Sequence, residues 1–218
     1  MRKFFFLLLV LSGIFPAYSI DTHWNLEPVV IKNGVSDNTI YNVCYGSDGF
    51  IRLSTGKGNS RYDGFRFRDY PLIMGIDSLS TPLHQAVKKL CEGPDGLYYA
   101  LLFQGGITCF DKDIEKFLPV RFDKPLELKD ILDFCWNDGS LYLVTSQGLF
   151  ESRIVRKTEG KHDFVLCLLN PEPVVRGKVA HLCSDRKTNL YFSVNQRKVV
   201  HYDLVAKKTS LIKEYSVV

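Results

Sequence analysis

The side chains that could do chemistry are few and poorly grouped for it. The five histidines, His23, His84, His162, His181 and His201, never fall at i, i+4 and have no Cys-x-x-Cys beside them, so no zinc site is indicated. There is no nucleophile elbow, P-loop or Glu-His zinc motif, and no cofactor motif. Asp111-Lys112-Asp113 is too short for a calcium loop. The acids fall mostly at turns. A carboxylate pair for glycoside cleavage depends on a separation that sequence does not carry.

The six cysteines are more informative. Cys44, Cys91, Cys135 and Cys183 recur at intervals of 47, 44 and 48 residues, each directly after an apolar residue (Val43, Leu90, Phe134, Leu182). Equivalent positions in successive sheets should lie beyond the Cα separation of about 5.5 Å that a disulfide prefers. The four therefore read as small buried hydrophobes. Cys109 and Cys167 lie on later strands and also read as reduced.

The same interval organises the whole chain. Asp48-Gly49, Asp95-Gly96, Asp138-Gly139 and a polar turn ending in Thr188-Asn189 each separate two β-rich runs. Asp-Gly marks a tight hairpin, because Gly takes positive φ at little cost. The third residue after each turn is Arg52, Tyr99, Tyr142 or Tyr191, so an aromatic recurs at one phase with Arg52 as the exception. Tyr62-Asp63, Phe110-Asp111 and Tyr202-Asp203 recur at the end of the third run, and Ser152-Arg153 is the divergent copy. The Asp there should start a turn by accepting backbone N–H bonds.

A period of 43 to 49 residues with four strands per unit predicts an all-β fold of β-propeller blades. A β-sandwich would not repeat its strands at fixed spacing. The blades are expected at about 35–70, 83–120, 128–169 and 177–215, with Pro71 to Pro82 as a linker. A lone strand, Trp24–Ile31, precedes them and has no obvious partner.

The chain has 218 residues. Arg2-Lys3, an apolar run from Phe4 to Phe15 and the small residues of Ala17-Tyr18-Ser19 predict a signal peptide over 1–19, cleaved after Ser19. The mature chain, 20–218, then reads as an exported, periplasmic partial propeller with no later membrane span. The formal charge of +4 includes Arg2 and Lys3 and is scattered, so no nucleic-acid footprint is present.

Val35-Ser36-Asp37-Asn38-Thr39-Ile40-Tyr41, Asp48-Gly49-Phe50-Ile51 and Arg61-Tyr62-Asp63-Gly64 resemble the two-component regulator propeller repeat. That repeat reads roughly G-L-S-x-N-x-V, D-x-x-G-x-L-W-I-G-T and G-L-x-R-Y-D-G. Arg52 stands where the family usually has Trp, Ser54 where it has Gly, and Gly34-Val35 where it has Gly-Leu. The resemblance covers Val35–Tyr70 well and the later repeats in skeleton.

It implies the periplasmic sensor region of a hybrid two-component histidine kinase, with two propellers, a membrane span and a kinase elsewhere, responding to oligosaccharide. Family propellers are usually seven-bladed, so four repeats read as part of one ring and the chain as a truncated, non-catalytic sensor. Its partners would be an oligosaccharide and either a second copy or a missing second propeller. An exported polysaccharide lyase or hydrolase, or a stand-alone glycan-binding module, are the other readings. A sugar would meet the loops between second and third strands, at Lys57, Asn59, Gln104, Gln147, Gln196 and Arg197. Arg52 could pair with an acid, stack on a ring or face the ligand.

Overall fold

The computed structural model describes residues 34–74, 83–123, 131–156 and 164–216. The expected signal peptide, the Trp24–Ile31 strand, His23, His162 and the first residues of the expected third blade lie outside them. The described residues form strands and turns, and among them no helix is long and apolar enough to cross a membrane.

Four four-stranded antiparallel meanders follow one another. Blade 1 is β1 (Ile40–Tyr45), β2 (Ile51–Thr55), β3 (Gly58–Tyr62) and β4 (Phe67–Pro71). The expected linker is not all loop: β5 (Ile73–Met74) and β6 (Leu83–His84) pair across it. Blade 2 is β7 (Val87–Glu92), β8 (Tyr98–Leu102), β9 (Ile107–Asp111) and β10 (Lys116–Phe122). Blade 3 is β11 (Asp133–Asn137), β12 (Ser140–Thr145), β13 (Gly148–Arg156) and β14 (Phe164–Leu168), with β15 (Val175–Arg176) added to β13. Blade 4 is β16 (Val179–Ser184), β17 (Asn189–Val194), β18 (Lys198–Asp203) and β19 (Lys208–Glu214).

Adjacent residues on a strand point to opposite faces, and here both faces are buried. Tyr98, Ala100 and Leu102 of β8 pack with Tyr70, Leu72 and Phe110 in the core between blades 1 and 2. Tyr99 and Leu101 of the same strand pack with Phe134, Leu141, Leu143 and Phe164 between blades 2 and 3. Tyr142 and Val144 then face Leu182, Leu190, Phe192 and Tyr202 between blades 3 and 4. A fully buried Leu or Phe side chain contributes roughly 1.5–3 kcal/mol, so these three interfaces dominate the stabilisation.

The expected phase of the second-strand aromatic is accounted for: Tyr99, Tyr142 and Arg52 each face the next blade. The cysteines share that face, since Cys44 pairs with Arg52, Cys91 with Tyr99, Cys135 with Tyr142 and Cys183 with Tyr191. All six cysteines are free thiols in the structure. Cys109 and Cys135 are buried, Cys44, Cys91 and Cys167 partly so, but Cys183 is exposed, which departs from the expected burial. The reason is topological: no described blade covers its face.

Turn chemistry repeats as expected. Asp63 Oδ1 accepts from the N–H groups of Phe65 and Arg66, Asp111 Oδ1 from Asp113 and Ile114, and Asp203 Oδ1 from Val205 and Ala206. Gly58 and Gly148 sit at φ of 132° and 146°, where a Cβ would lie 2.5 Å from Tyr70 O and 2.1 Å from Val175 O. Only Gly fits there.

One feature departs from four separate blades. The outer strands β10 and β14 pair in parallel, Val120 with Phe164 and Phe122 with Leu166, joining blades 2 and 3 into one sheet. Phe164, Val165 and Leu166 are buried in consequence, and an edge that would otherwise stay open is closed. β19 has no such cover, and every residue of it is exposed.

The inner strands are clasped by side chains. β1, β7 and β16 each carry a register shift near their start, and such bulges re-aim a side chain. Leu90 N–H donates to Asn42 Oδ1 (3.1 Å), and Leu182 N–H donates to Asp133 Oδ2 (2.8 Å). Lys89 Nζ donates to Asp133 Oδ1 (2.7 Å) and Leu182 O (3.2 Å), so Asp133 ties three blades together. Asp133→Ala should lower stability by about 2–3 kcal/mol, since it strands a part-buried amide and an ammonium. Urea denaturation of the wild type and the variant measures the difference; a change below about 0.5 kcal/mol would show the clasp to be dispensable.

Candidate functional site

β1, β7 and β11 end side by side in their first turns, around an open cleft of about 560 Å³. Its walls hold Tyr45, Glu92 and Trp136, which are the residues directly after Cys44, Cys91 and Cys135. Arg186, from the first turn of blade 4, completes the rim beside Asn137 and Asp138. The glycines of these turns keep their backbone at the surface of the cleft.

Cross-blade hydrogen bonds hold the walls. Glu92 accepts from Ser47 N–H (2.7 Å) and Ser47 Oγ (2.5 Å), and lies 3.8 Å from Lys112 Nζ. Asn137 Nδ2 donates to Lys187 O (2.9 Å), and its Oδ1 accepts from Ser184 Oγ. The Trp136 ring packs against Tyr99 at 5.1 Å between centroids. Tyr45 is 71% exposed and Arg186 is also exposed, so an aromatic face and a guanidinium are open to solvent.

Burial pushes the thiols of Cys44 and Cys91 up despite the nearby positive charge of Arg186, and pushes Cys135 up to about 12. These thiols are protonated at neutral pH and are poor nucleophiles. A glycosidase acid needs a carboxyl whose pKa is raised. Every described carboxyl whose pKa moves, Asp48, Asp63 and Asp185, moves down. Among the described residues there is also no group of three or more His, Cys, Asp or Glu side chains that could hold a metal.

The residues expected to form a ligand lip are not brought together. Arg52 is 1% exposed and lies between blades 1 and 2. Its Nη2 donates to Asp48 Oδ2 (2.8 Å), and its guanidinium stands 4.2 Å over the Tyr98 ring and 5.4 Å from Phe110. Lys57 and Asn59 border a separate 330 Å³ pocket with Asp69 and Tyr70. Gln196 and Arg197 line a cleft beside Lys178 and Glu214. Gln104 and Gln147 are exposed turn residues, and the backbone carbonyl of Gln147 accepts from Gly177 N–H (3.3 Å).

The expectation favoured the loops between second and third strands, whereas the cleft with aromatic and charged walls lies at the turns between first and second. The available signal was the residue after each repeated cysteine.

No protein-family model and no curated relative matches the chain. Solved structures do match it. One is the extracellular domain of a hybrid two-component system from B. thetaiotaomicron, with a TM-score of 0.59 and 15% identity over 85% of this chain. Another is the extracellular domain of a one-component system from the same organism, with a TM-score of 0.60 and 16% identity over 87% of this chain. The fold is that of β-propeller blades. A chain of the mitotic checkpoint complex also aligns, with a TM-score of 0.53 and 10% identity over 90% of this chain and 59% of that one, so the likeness carries fold and not task. The chain spans 26% and 28% of the length of the two bacterial domains.

Asp48 is the keystone of the first turn. Burial opposes its ionisation, but Arg52, the Phe50 N–H and Tyr98 outweigh burial and hold its carboxyl below the ordinary 3.8. Its stabilising contribution is therefore full above about pH 4 and lost as pH falls through the lower folded value. Asp48→Asn should flatten the acid limb of the Tm-against-pH curve, and at pH 7 should cost about 3 kcal/mol by leaving Arg52 buried without its carboxylate. Parallel acid limbs for wild type and variant would contradict this account.

Proposed function

We propose that this chain is a non-catalytic, exported ligand-sensing propeller segment of a two-component regulatory system, responding to an oligosaccharide held in the cleft at the first turns. The observation that carries the reading is the cleft itself. It brings together the Trp136 ring, an exposed guanidinium (Arg186), Tyr45 at its rim and turn backbone contributed by different blades. Sugars are bound by such pairings of ring faces with fixed polar groups.

Two further observations support it. The repeat resemblance over Val35–Tyr70 points to the sensor region of hybrid histidine kinases. The solved structures it resembles include extracellular domains of a hybrid two-component and a one-component system. Because the cleft walls come from different blades and are tied by Ser47–Glu92 and Asn137–Ser184, an occupant would bias how neighbouring blades sit against each other. That is the differential contact a sensor needs in order to signal through a second propeller, a second copy or a kinase-bearing partner.

Calorimetric titration of the full chain with oligosaccharides from a polysaccharide panel tests the reading. One class should bind, without turnover, and Tyr45→Ala and Arg186→Ala should each weaken binding at least about tenfold, roughly 1.4 kcal/mol. Turnover that disappears in Glu92→Gln or Asp138→Asn would replace this reading with that of an exported polysaccharide enzyme.

A further inference from the structure

The face that blade 1 turns toward blade 2 is unlike the other interblade faces. Strand register sets Arg52 opposite Arg61 and Arg61 opposite Arg68, so three guanidinium side chains share one cross-strand row. Directly opposed like charges destabilise a sheet. Two carboxylates answer three cations: Asp48 pairs with Arg52, and Glu115 of blade 2 pairs with Arg68. Arg61 packs over the Phe50 ring at 4.4 Å, and among the described residues no ion pair joins it to a carboxylate, the exposed Asp63 acting on it only through space.

The next row on the same face sets Ser54 opposite Asn59, both essentially fully buried. Arg52 Nε, Arg52 Nη1, Arg61 Nε, Asn59 Nδ2 and Ser54 Oγ are all buried and have no hydrogen-bond partner. Against these four N–H-bearing nitrogens and one hydroxyl stands a single unpartnered acceptor, Asn59 Oδ1. Each stranded buried donor costs about 1–3 kcal/mol, and a charged one more, so the set as it stands is too costly to persist without a partner. What it lacks is negative charge and acceptor capacity.

We propose that blades 1 and 2 enclose a small monovalent anion, of the size of chloride, on the Arg52, Arg61, Ser54 and Asn59 side chains. The anion supplies the third negative charge of the arginine row and accepts the orphaned donors at once. The unpartnered atoms have essentially no surface open to solvent, so the occupant enters as the blades come together and is not the tip of a larger ligand. Arg52 at the position expected to hold an aromatic thus becomes part of an ion site, with the Tyr98 and Phe110 rings as its dry wall.

Melting the full chain in chloride and in gluconate at equal ionic strength separates specific occupancy from screening, because gluconate is too large for an enclosed site. Chloride at about 0.2 M should raise Tm by about 3 °C over gluconate. Arg61→Met, at a partly exposed position, should abolish that difference. Crystals grown in bromide should show an anomalous peak between Arg52 and Ser54, which tests the site even if Arg52 variants do not fold. Equal Tm in the two salts, with water alone on these groups and bromide confined to the surface, would overturn the proposal.

Discussion

Tyr98 and Tyr99 are neighbours on one strand, point to opposite faces of one sheet, and are both fully buried. That is possible only if the sheet of blade 2 is covered on both faces. A four-stranded meander has two faces and no means of covering either by itself, so its apolar residues stabilise nothing until another sheet stacks on each side. The three interblade cores, the inner-strand clasp through Asn42, Lys89 and Asp133, and the β10–β14 pairing all follow from that requirement. The same constraint marks the two ends of the series. Val43, Tyr45 and Ile51 on the outer face of blade 1 remain exposed, as does Cys183 on the outer face of blade 4.

Much of this was legible in the residues. The Asp-Gly turns, the repeated cysteine and the repeated aromatic each mark a position whose environment recurs, and recurrence is what sequence records best. The Asp after the third strand was readable for the same reason, because its carboxylate acts on N–H groups two and three residues ahead. Local chemistry needs no knowledge of the fold.

What sequence did not carry depends on distance between repeats. The β10–β14 pairing joins strands separated by a whole meander, with no local signature in either. The β5–β6 pair spans a stretch of turn-like residues that reads as linker. The cleft at the first turns was not read from the sequence for a related reason. Tyr45, Glu92, Trp136 and Arg186 share no residue type, so repeat matching, which looks for sameness, passes over the positions that line the cleft. Arg52 showed the converse: its departure from the repeat was visible, but its answer, Asp48 four residues earlier and two rings from the next blade, emerged only from packing.

The central claim is that successive blades are stacked and locked along their inner strands. Amide hydrogen exchange at Leu90 and Leu182 tests it most directly, because each N–H donates to a side-chain oxygen of the preceding blade. The account predicts that both amides exchange as slowly as those of the buried strand β8, at the rate of global unfolding. Exchange at the rate of the exposed strand β19 would mean that the blades are not clasped, and would contradict it.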